Sequence, residues 1–262
     1  MDTLQQTSLK SQFRILVIGD SCQDVYHYGI CERLSPEAPI PILKLTKTET
    51  KPGMCLNVAK NLEGLGSVVD TITQQEKIIK HRYVEEKRFV HLLRVDEESS
   101  DVKQINIDEV KSALQKSTYD ALVISDYNKG FLNPKSCKEI VQIVNCSIPI
   151  FVDSKKQDLS CFSNCIIKIN KYEKQKVQSL PEKFELIVTL GENGAEWKDK
   201  HYPTAKSKLY DVCGAGDTFL ASLTHKYLQT KELDQSIIFA NKCASISVTH
   251  FGNFILRQQD VD

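Results

Sequence analysis

The chain has 262 residues, 41% of them hydrophobic and 26% charged, and its 34 basic residues are balanced by 34 acidic ones. That length suits one α/β domain with a large core, and the neutral balance argues against nucleic acid or an anionic membrane as the main partner. No apolar run nears the roughly 20 residues that span a bilayer; the polar start lacks a signal-peptide core, and nine cysteines without a Cys-x-x-Cys pair read as reduced thiols, so a cytoplasmic protein is expected.

Residues 1–12 read as a polar, mobile leader. Residues 13–18 form a β-rich run that ends at Gly19-Asp20, the profile of a buried strand opening into a loop. Ligands gather at such strand ends in open α/β sheets, which singles out Asp20 and Asp24, although composition alone favours Asp24 as a solvated loop acid. Within 28–45, Pro36, Pro39 and Pro41 exclude a helix and predict an extended or edge-strand segment. Leu56, Ala59, Leu62 and Leu65 then recur at helical spacing, with Gly64 and Gly66 as the terminus.

Residues 79–96 carry Lys80, Arg82 and Arg94 on strand-like stretches, where cations either grip a substrate phosphate or simply face water. From 107 onward the alternation is regular: helix-like 108–117, strand 121–125, helix-like 134–145, strands 148–152, 165–169 and 186–190. Such a pattern argues a parallel sheet covered on both faces. Residues 233–250 place Ile237, Ala240, Ala244 and Val248 on one helical face, which reads as core. The six histidines have no partner pattern, and neither repeats nor linkers divide residues 13–262.

Between these last elements lies Asp211-Val-Cys-Gly-Ala-Gly-Asp-Thr-Phe219, followed by helical periodicity to 228. Two glycines spaced by alanine let successive N–H groups converge on one point. The first turn of a helix adds unpaired N–H groups and a partial positive charge. An acid at the rim, Asp217, can take a proton from a hydroxyl while the amides hold a phosphoryl group in transit. A tight turn with an acid matched to the helix dipole is the plainer reading. No Gly-Lys-Ser/Thr follows, so the loop is not a Walker A motif.

The Asp211–Phe219 stretch resembles the Asp-Thr-x-Gly-Ala-Gly-Asp signature of the ribokinase-like (pfkB-type) carbohydrate kinases. Arg33-Leu-Ser-Pro-Glu-Ala-Pro-Ile-Pro-Ile42 is similar to a segment of one group within them, the heptose-7-phosphate kinase domain of the bifunctional ADP-heptose biosynthesis enzyme. The resemblance implies a three-layer α/β fold, a mostly parallel sheet with helices on both faces and a small β lid from about 26–50 and 79–96. It implies Asp217 as base, with Gly214, Ala215 and Gly216 as the anion hole. Acceptor contacts would come from Asp24, Gly53, Asn57, Lys80, Arg82 and Arg94, and nucleotide contacts from Asn170, Thr189, Gly191 and Asn241. Glu173 would reach Mg²⁺ through water. Ser125-Asp-Tyr-Asn-Lys-Gly130 and Asp153-Ser-Lys155 match further family elements.

The implied partners are ATP and a sugar phosphate, best matched by D-glycero-β-D-manno-heptose 7-phosphate, and a second copy of the chain through the lid strands. Two departures stand out. Met54 replaces the second glycine of the family's Pro-Gly-Gly. Residues 67–78 are too short for the strand and helix that normally precede the lid strands, a loss of about thirty residues. A related kinase with another acceptor, or a nucleotide-binding scaffold of weak activity, are the alternatives.

Overall fold

The computed structural model describes residues 12–99, 101–144, 146–205 and 209–261. Apart from Gln12, the expected leader lies outside the described residues. The main sheet has eight strands in the order β12-β11-β10-β9-β8-β7-β1-β4. In chain order they are β1 (Arg14–Gly19), β4 (Val68–Ile72), β7 (Ala121–Asp126), β8 (Ile150–Ser154), β9 (Cys165–Asn170), β10 (Phe184–Thr189), β11 (Ala195–Trp197) and β12 (Lys200–Tyr202). All pairings from β4 to β10 are parallel. The β10–β11–β12 edge is antiparallel, and nothing in the sequence pattern announced it.

The unbroken apolar strands are explained by what covers them. Ile15 and Val17 of β1 pack with Val123 and Phe151 against α1 (Cys55–Gly64), α5 (Ala215–Thr230) and α6 (Leu233–Ser247). Leu16 and Ile18, with period-two alternation, join Leu122, Ile124 and Val152 against α2 (Ile107–Lys116) and α3 (Pro134–Val144) on the opposite face. The expected helices and strands are all present, with ends shifted by a few residues; the last long helix stops at Ser247 rather than 250. Asn106 caps α2 by accepting the N–H of Asp108.

A second sheet, β3-β2-β5-β6, forms the lid from β2 (Ser21–Leu34), β3 (Pro41–Met54), β5 (Ile79–Glu85) and β6 (Val90–Glu97). Pro36 and Pro39 fall in the bend between β2 and β3, where no ladder N–H is required. β2 follows β1 with only Asp20 between, and β3 passes directly into α1.

The expectation for 67–78 needs correction. That interval does hold a strand, β4, whose five residues pair with β1 from Arg14↔Val68 to Ile18↔Ile72 at the sheet edge. Asp70 anchors it by accepting from Arg14 Nε at 2.9 Å and from the Tyr119 hydroxyl at 2.8 Å. What is missing before β5 is a helix: the chain crosses from β4 to the lid in six residues, 73–78. An edge position makes that tolerable, because among the described residues no further strand leans on β4.

Candidate active site

The parallel strands end at one rim, and α5 starts there. Gly214 precedes α5 in the left-handed region at φ 75°, where a side chain is strained, and a Cβ would also meet Asn57 Nδ2 at 2.6 Å. Gly216 is closely approached from below, since a Cβ there would lie 2.9 Å from Lys168 Nζ. The turn is therefore held open by packing as well as by torsion, and Ala215 and Gly216 lie in the first turn of the helix, where N–H groups lack intrahelical partners.

Asp217, the third residue of α5, is 4% exposed. Its Oδ2 accepts the Asn57 Nδ2–H at 2.9 Å and its Oδ1 accepts the Tyr127 hydroxyl at 2.7 Å. Burial raises its pKa to about 6, even though both hydrogen bonds favour the ionised form. A carboxylate poised there is mostly ionised at neutral pH and still basic enough to take a hydroxyl proton.

Beside it sits a buried ion-pair cluster. Asp153, at the end of β8, accepts Lys168 Nζ at 2.7 Å on Oδ2 and Lys155 Nζ at 3.0 Å on Oδ1. Burial works against its ionisation, but the two lysines outweigh burial and hold its pKa below the usual carboxylate value. Lys155 also meets Glu173 at 2.6 Å. Lys168, its side chain only 3% exposed, thus places a positive charge directly under the amides of the turn.

The lid supplies the other wall. Asp24 on β2 is 3% exposed, and its Oδ1 accepts Arg82 Nε and Nη2, both at 2.8 Å. Asn253 Nδ2 donates to its Oδ2 at 2.8 Å and to the Pro52 carbonyl at 2.9 Å, and Asn253 Oδ1 lies on the side of Gly214 that a Cβ would occupy. Gly53 is obligatory for space: a Cβ would stand 2.2 Å from Asp24 Oδ2. Met54 next to it adopts φ 56° and ψ −133°, a glycine-type conformation, and is buried against Cys22, Ile78 and Tyr127.

The remaining expected residues divide. Lys80 Nζ lies 5.6 Å from the centre of the Tyr127 ring and Lys155 Nζ 5.3 Å, so two cations flank the residue that donates to Asp217. Arg94 instead pairs along its own strand with Asp96 at 2.8 Å and is half exposed. Asn170 and Glu173 form a reciprocal cap for the short helix α4 (Lys171–Lys176), the Asn170 side chain accepting the Glu173 N–H and the Glu173 carboxylate accepting the Asn170 N–H. Thr189 closes β10, and Gly191 at φ 62° has open space around it. Asn241 on α6 donates to the Tyr202 carbonyl at 2.9 Å, which ties it to β12.

Sequence reasoning gave no role to Tyr127, Lys168 or Asn253. Lys168 did carry a signal, a lone charge inside the apolar strand Cys165–Asn170. Asn253 carried none, because the partners of its amide, Asp24 and the Pro52 carbonyl, are 229 and 201 positions away.

A carbohydrate kinase family model, "pfkB family carbohydrate kinase", matches residues 70–256. The bifunctional protein HldE of Helicobacter acinonychis (strain Sheeba) is 31% identical over 304 aligned positions, covering 95% of this chain and 65% of that protein. HldE of Sulfurimonas denitrificans is also 31% identical, with 95% and 63% covered. The chain thus spans a little under two thirds of these relatives. Among solved structures, phosphofructokinase-2 of Escherichia coli in complex with potassium superposes with a TM-score of 0.76 at 17% identity, covering 95% of this chain and 97% of that one. Ribokinase of Thermotoga maritima gives 0.69 at 16%, covering 95% and 98%. The fold is that of the ribokinase-like kinases.

Proposed function

The chain belongs to the pfkB family of carbohydrate kinases, and on that premise we propose its acceptor: the anomeric hydroxyl of D-glycero-β-D-manno-heptose 7-phosphate, converted to the 1,7-bisphosphate. Kinases of this family act on a sugar hydroxyl and use ATP. The observation that carries the chemistry is Asp217, buried between two neutral donors at the mouth of a glycine turn. The heptose is supported by the Arg33–Ile42 stretch and by 31% identity to HldE proteins over nearly the whole chain.

In this reading Asp217 takes the hydroxyl proton as the sugar oxygen bonds to the γ-phosphorus and the bond to the leaving ADP oxygen breaks. Asn57 and Tyr127 hold the carboxylate in register. The amides of Gly214, Ala215 and Gly216 hold the charge on the phosphoryl oxygens, that of Ala215 by leaving the Val212 carbonyl it meets at 3.3 Å, and Lys168 strengthens that field from beneath. Asp24, Gly53 and Asn57 shape the acceptor end, and Lys80 and Arg82 supply positive charge for its phosphate. Arg94 would join them only by releasing Asp96.

Asn170, Thr189, Gly191 and Asn241 line the nucleotide end. Both Glu173 oxygens already have partners, one in Lys155 and the other in the Asn170 N–H, which fits contact to Mg²⁺ through water rather than direct ligation. Mg²⁺, when bound, would neutralise the nucleotide phosphates.

The test is ADP release from Mg-ATP with heptose 7-phosphate, set beside fructose 6-phosphate and ribose, for the wild type and Asp217→Asn. Turnover on the heptose alone, lost in the variant, supports the reading; turnover on another sugar replaces the acceptor. Met54 favours that second outcome, since its side chain fills volume beside Gly53.

A homodimer is part of the same proposal. Leu93 and Val95 leave exposed apolar side chains on β6, the edge strand of the lid, for a second copy to cover, and sedimentation of the full chain tests it. No helix of the described residues is long and apolar enough to cross a membrane, and a cytoplasmic location is proposed from the need for ATP and the nine free cysteines.

A further inference from the structure

Two histidines that had no partner pattern in the sequence meet on the lid. β2 and β5 run parallel, with Asp24 opposite Lys80, Val25 opposite His81 and His27 opposite Tyr83. Asp24 reaches Arg82, two positions beyond its own opposite residue, whereas His27 reaches His81, two positions short of its own, with Nε2 and Nδ1 2.8 Å apart. Because side chains alternate along a strand, the carboxylate and guanidinium lie on one face of this seam and the two imidazoles on the other. The seam is crossed by two diagonals of opposite slant. Sliding β5 toward its C-terminal end stretches the first, and sliding it back stretches the second.

The partners assign the protons. His81 Nε2 stands 3.2 Å from Glu97 Oε1 of β6, an ion-pair distance without hydrogen-bond alignment, and the carboxylate favours a proton there. On that assignment His81 Nδ1 accepts, His27 Nε2 donates, and His27 Nδ1 accepts from the Thr48 hydroxyl of β3 at 3.3 Å. Tyr83 stacks on the His27 ring with centroids 4.7 Å apart. Glu85 follows on that face, while Lys47, Glu49, Arg94 and Asp96 take the register positions of the inner face. Burial, and then the charge of His81, hold His27 below its ordinary pKa of 6.5. One added proton leaves the rings bonded: it goes to His27 Nδ1, Thr48 turns from donor to acceptor, and a single N–H still lies between the rings. A second proton puts an N–H on both facing nitrogens, and the bond is lost.

We infer that His27 and His81 are positioning residues for the acceptor site: their bond on the outer face of the β2–β5 seam holds Asp24 and Arg82 in place on the inner face. The brace is intact above pH 6.5 and is lost as pH falls through the lowered value of His27, when the pair takes its second proton. Its effect on the acceptor rests on the kinase reading; the bond and its two-step titration do not.

The test compares wild type, His27→Ala and His27→Gln, whose side-chain amide keeps a donor near the position of the imidazole Nε2 and does not titrate. In mildly alkaline buffer His27→Ala should raise the acceptor KM about two- to tenfold, the range of one lost hydrogen bond, with kcat held. His27→Gln should restore that KM and keep it level as pH falls, while the wild-type KM rises. The acid limb of kcat set by Asp217 should be common to both, which separates the brace from the base. Two sets of resonances need no sugar. Long-range nitrogen–proton spectra of the wild type should place the neutral protons on Nε2 of both rings, and the Arg82 Nε–H, held by Asp24 at 2.8 Å, should exchange with solvent faster in His27→Ala and not in His27→Gln. An Arg82 signal that is the same in all three proteins, or a His27→Gln that behaves like His27→Ala, overturns the brace. A changed Arg82 signal with an unmoved acceptor KM overturns its part in acceptor binding. Silence on every sugar with the expected resonances upholds the brace and faults the acceptor reading alone.

Discussion

Asp217 and Asp153 are both almost fully buried at the same rim, yet they are built for opposite work. Asp217 faces an amide and a phenol, both neutral, and burial lifts its pKa to about 6. Asp153 faces two lysines, which overcome the same burial and hold it ionised. Burial alone does not make a base; the charge of the partners decides whether a buried carboxylate can exchange a proton or serves as a fixed anchor.

The sharpest way to break this contrast is Asp217→Asn. Turnover should fall by a factor of about 10² to 10⁴, the range assigned to general acid–base catalysis, as read by ADP release. Stability should move the other way. The folded-state pKa of Asp217 lies above its ordinary 3.8, so the stability it contributes is complete below about pH 4 and is lost as pH rises through about 6. An amide removes that loss, since the Tyr127 hydroxyl can turn from donor to acceptor, and the melting temperature at pH 8 should rise. A variant that is both inactive and less stable would deny Asp217 its uncomfortable charge.

Asp153 predicts the reverse. Lys168→Met should cost about 3 kcal/mol in urea unfolding, the low end for breaking a buried pair, because Lys155 remains. A smaller effect comes from Tyr127→Phe. The activity of the wild type should decline below about pH 6 as Asp217 takes up a proton; loss of the phenol donor disfavours the ionised form and should move that acid limb upward. A pH–rate profile with an unmoved limb would separate Tyr127 from the base. Smallest should be Met54→Gly. Truncating a buried methionine ordinarily costs about 2–5 kcal/mol, but relief of its positive-φ backbone returns about 1–3, leaving a net loss of about 1.5 kcal/mol between the midpoints of those ranges. The acceptor KM should change more than kcat.

Much of this was legible. The strands announced themselves as apolar runs because both faces are covered, and the helix-opening turn because only glycines fit it. Asp217 and Asn57, read separately, turn out to be bonded to each other. Glu173 was legible as a motif, but its most immediate partners are its own helix cap and Lys155, contacts that a four-residue pattern cannot distinguish from a metal contact. Asn253 was hidden because its value lies in tying Asp24 to the Pro52 carbonyl, a relation set by folding rather than spacing. β4 was hidden for a different reason: five residues with an aspartate at the centre make a weak strand pattern, and their pairing with β1 supplies the rest.

The two loop-free connections of the lid have a mechanical meaning. β1 passes into β2 at Asp20 and β3 into α1 at Cys55, and the two crossings are tied together, since Cys55 N–H donates to the Asp20 carbonyl at 3.0 Å and Ser21 faces Met54 in the ladder. They define a pivot line. The hairpin beyond it has strands of 14 residues, so its far end stands about 45 Å away, and a rotation of about 5° would sweep that end by about 4 Å. Asp24, Gly53 and Met54 lie within a few residues of the pivot and would scarcely move. Such a lever would separate admission from reading: its tip would open and close the way in, while the residues proposed to meet the acceptor stay still.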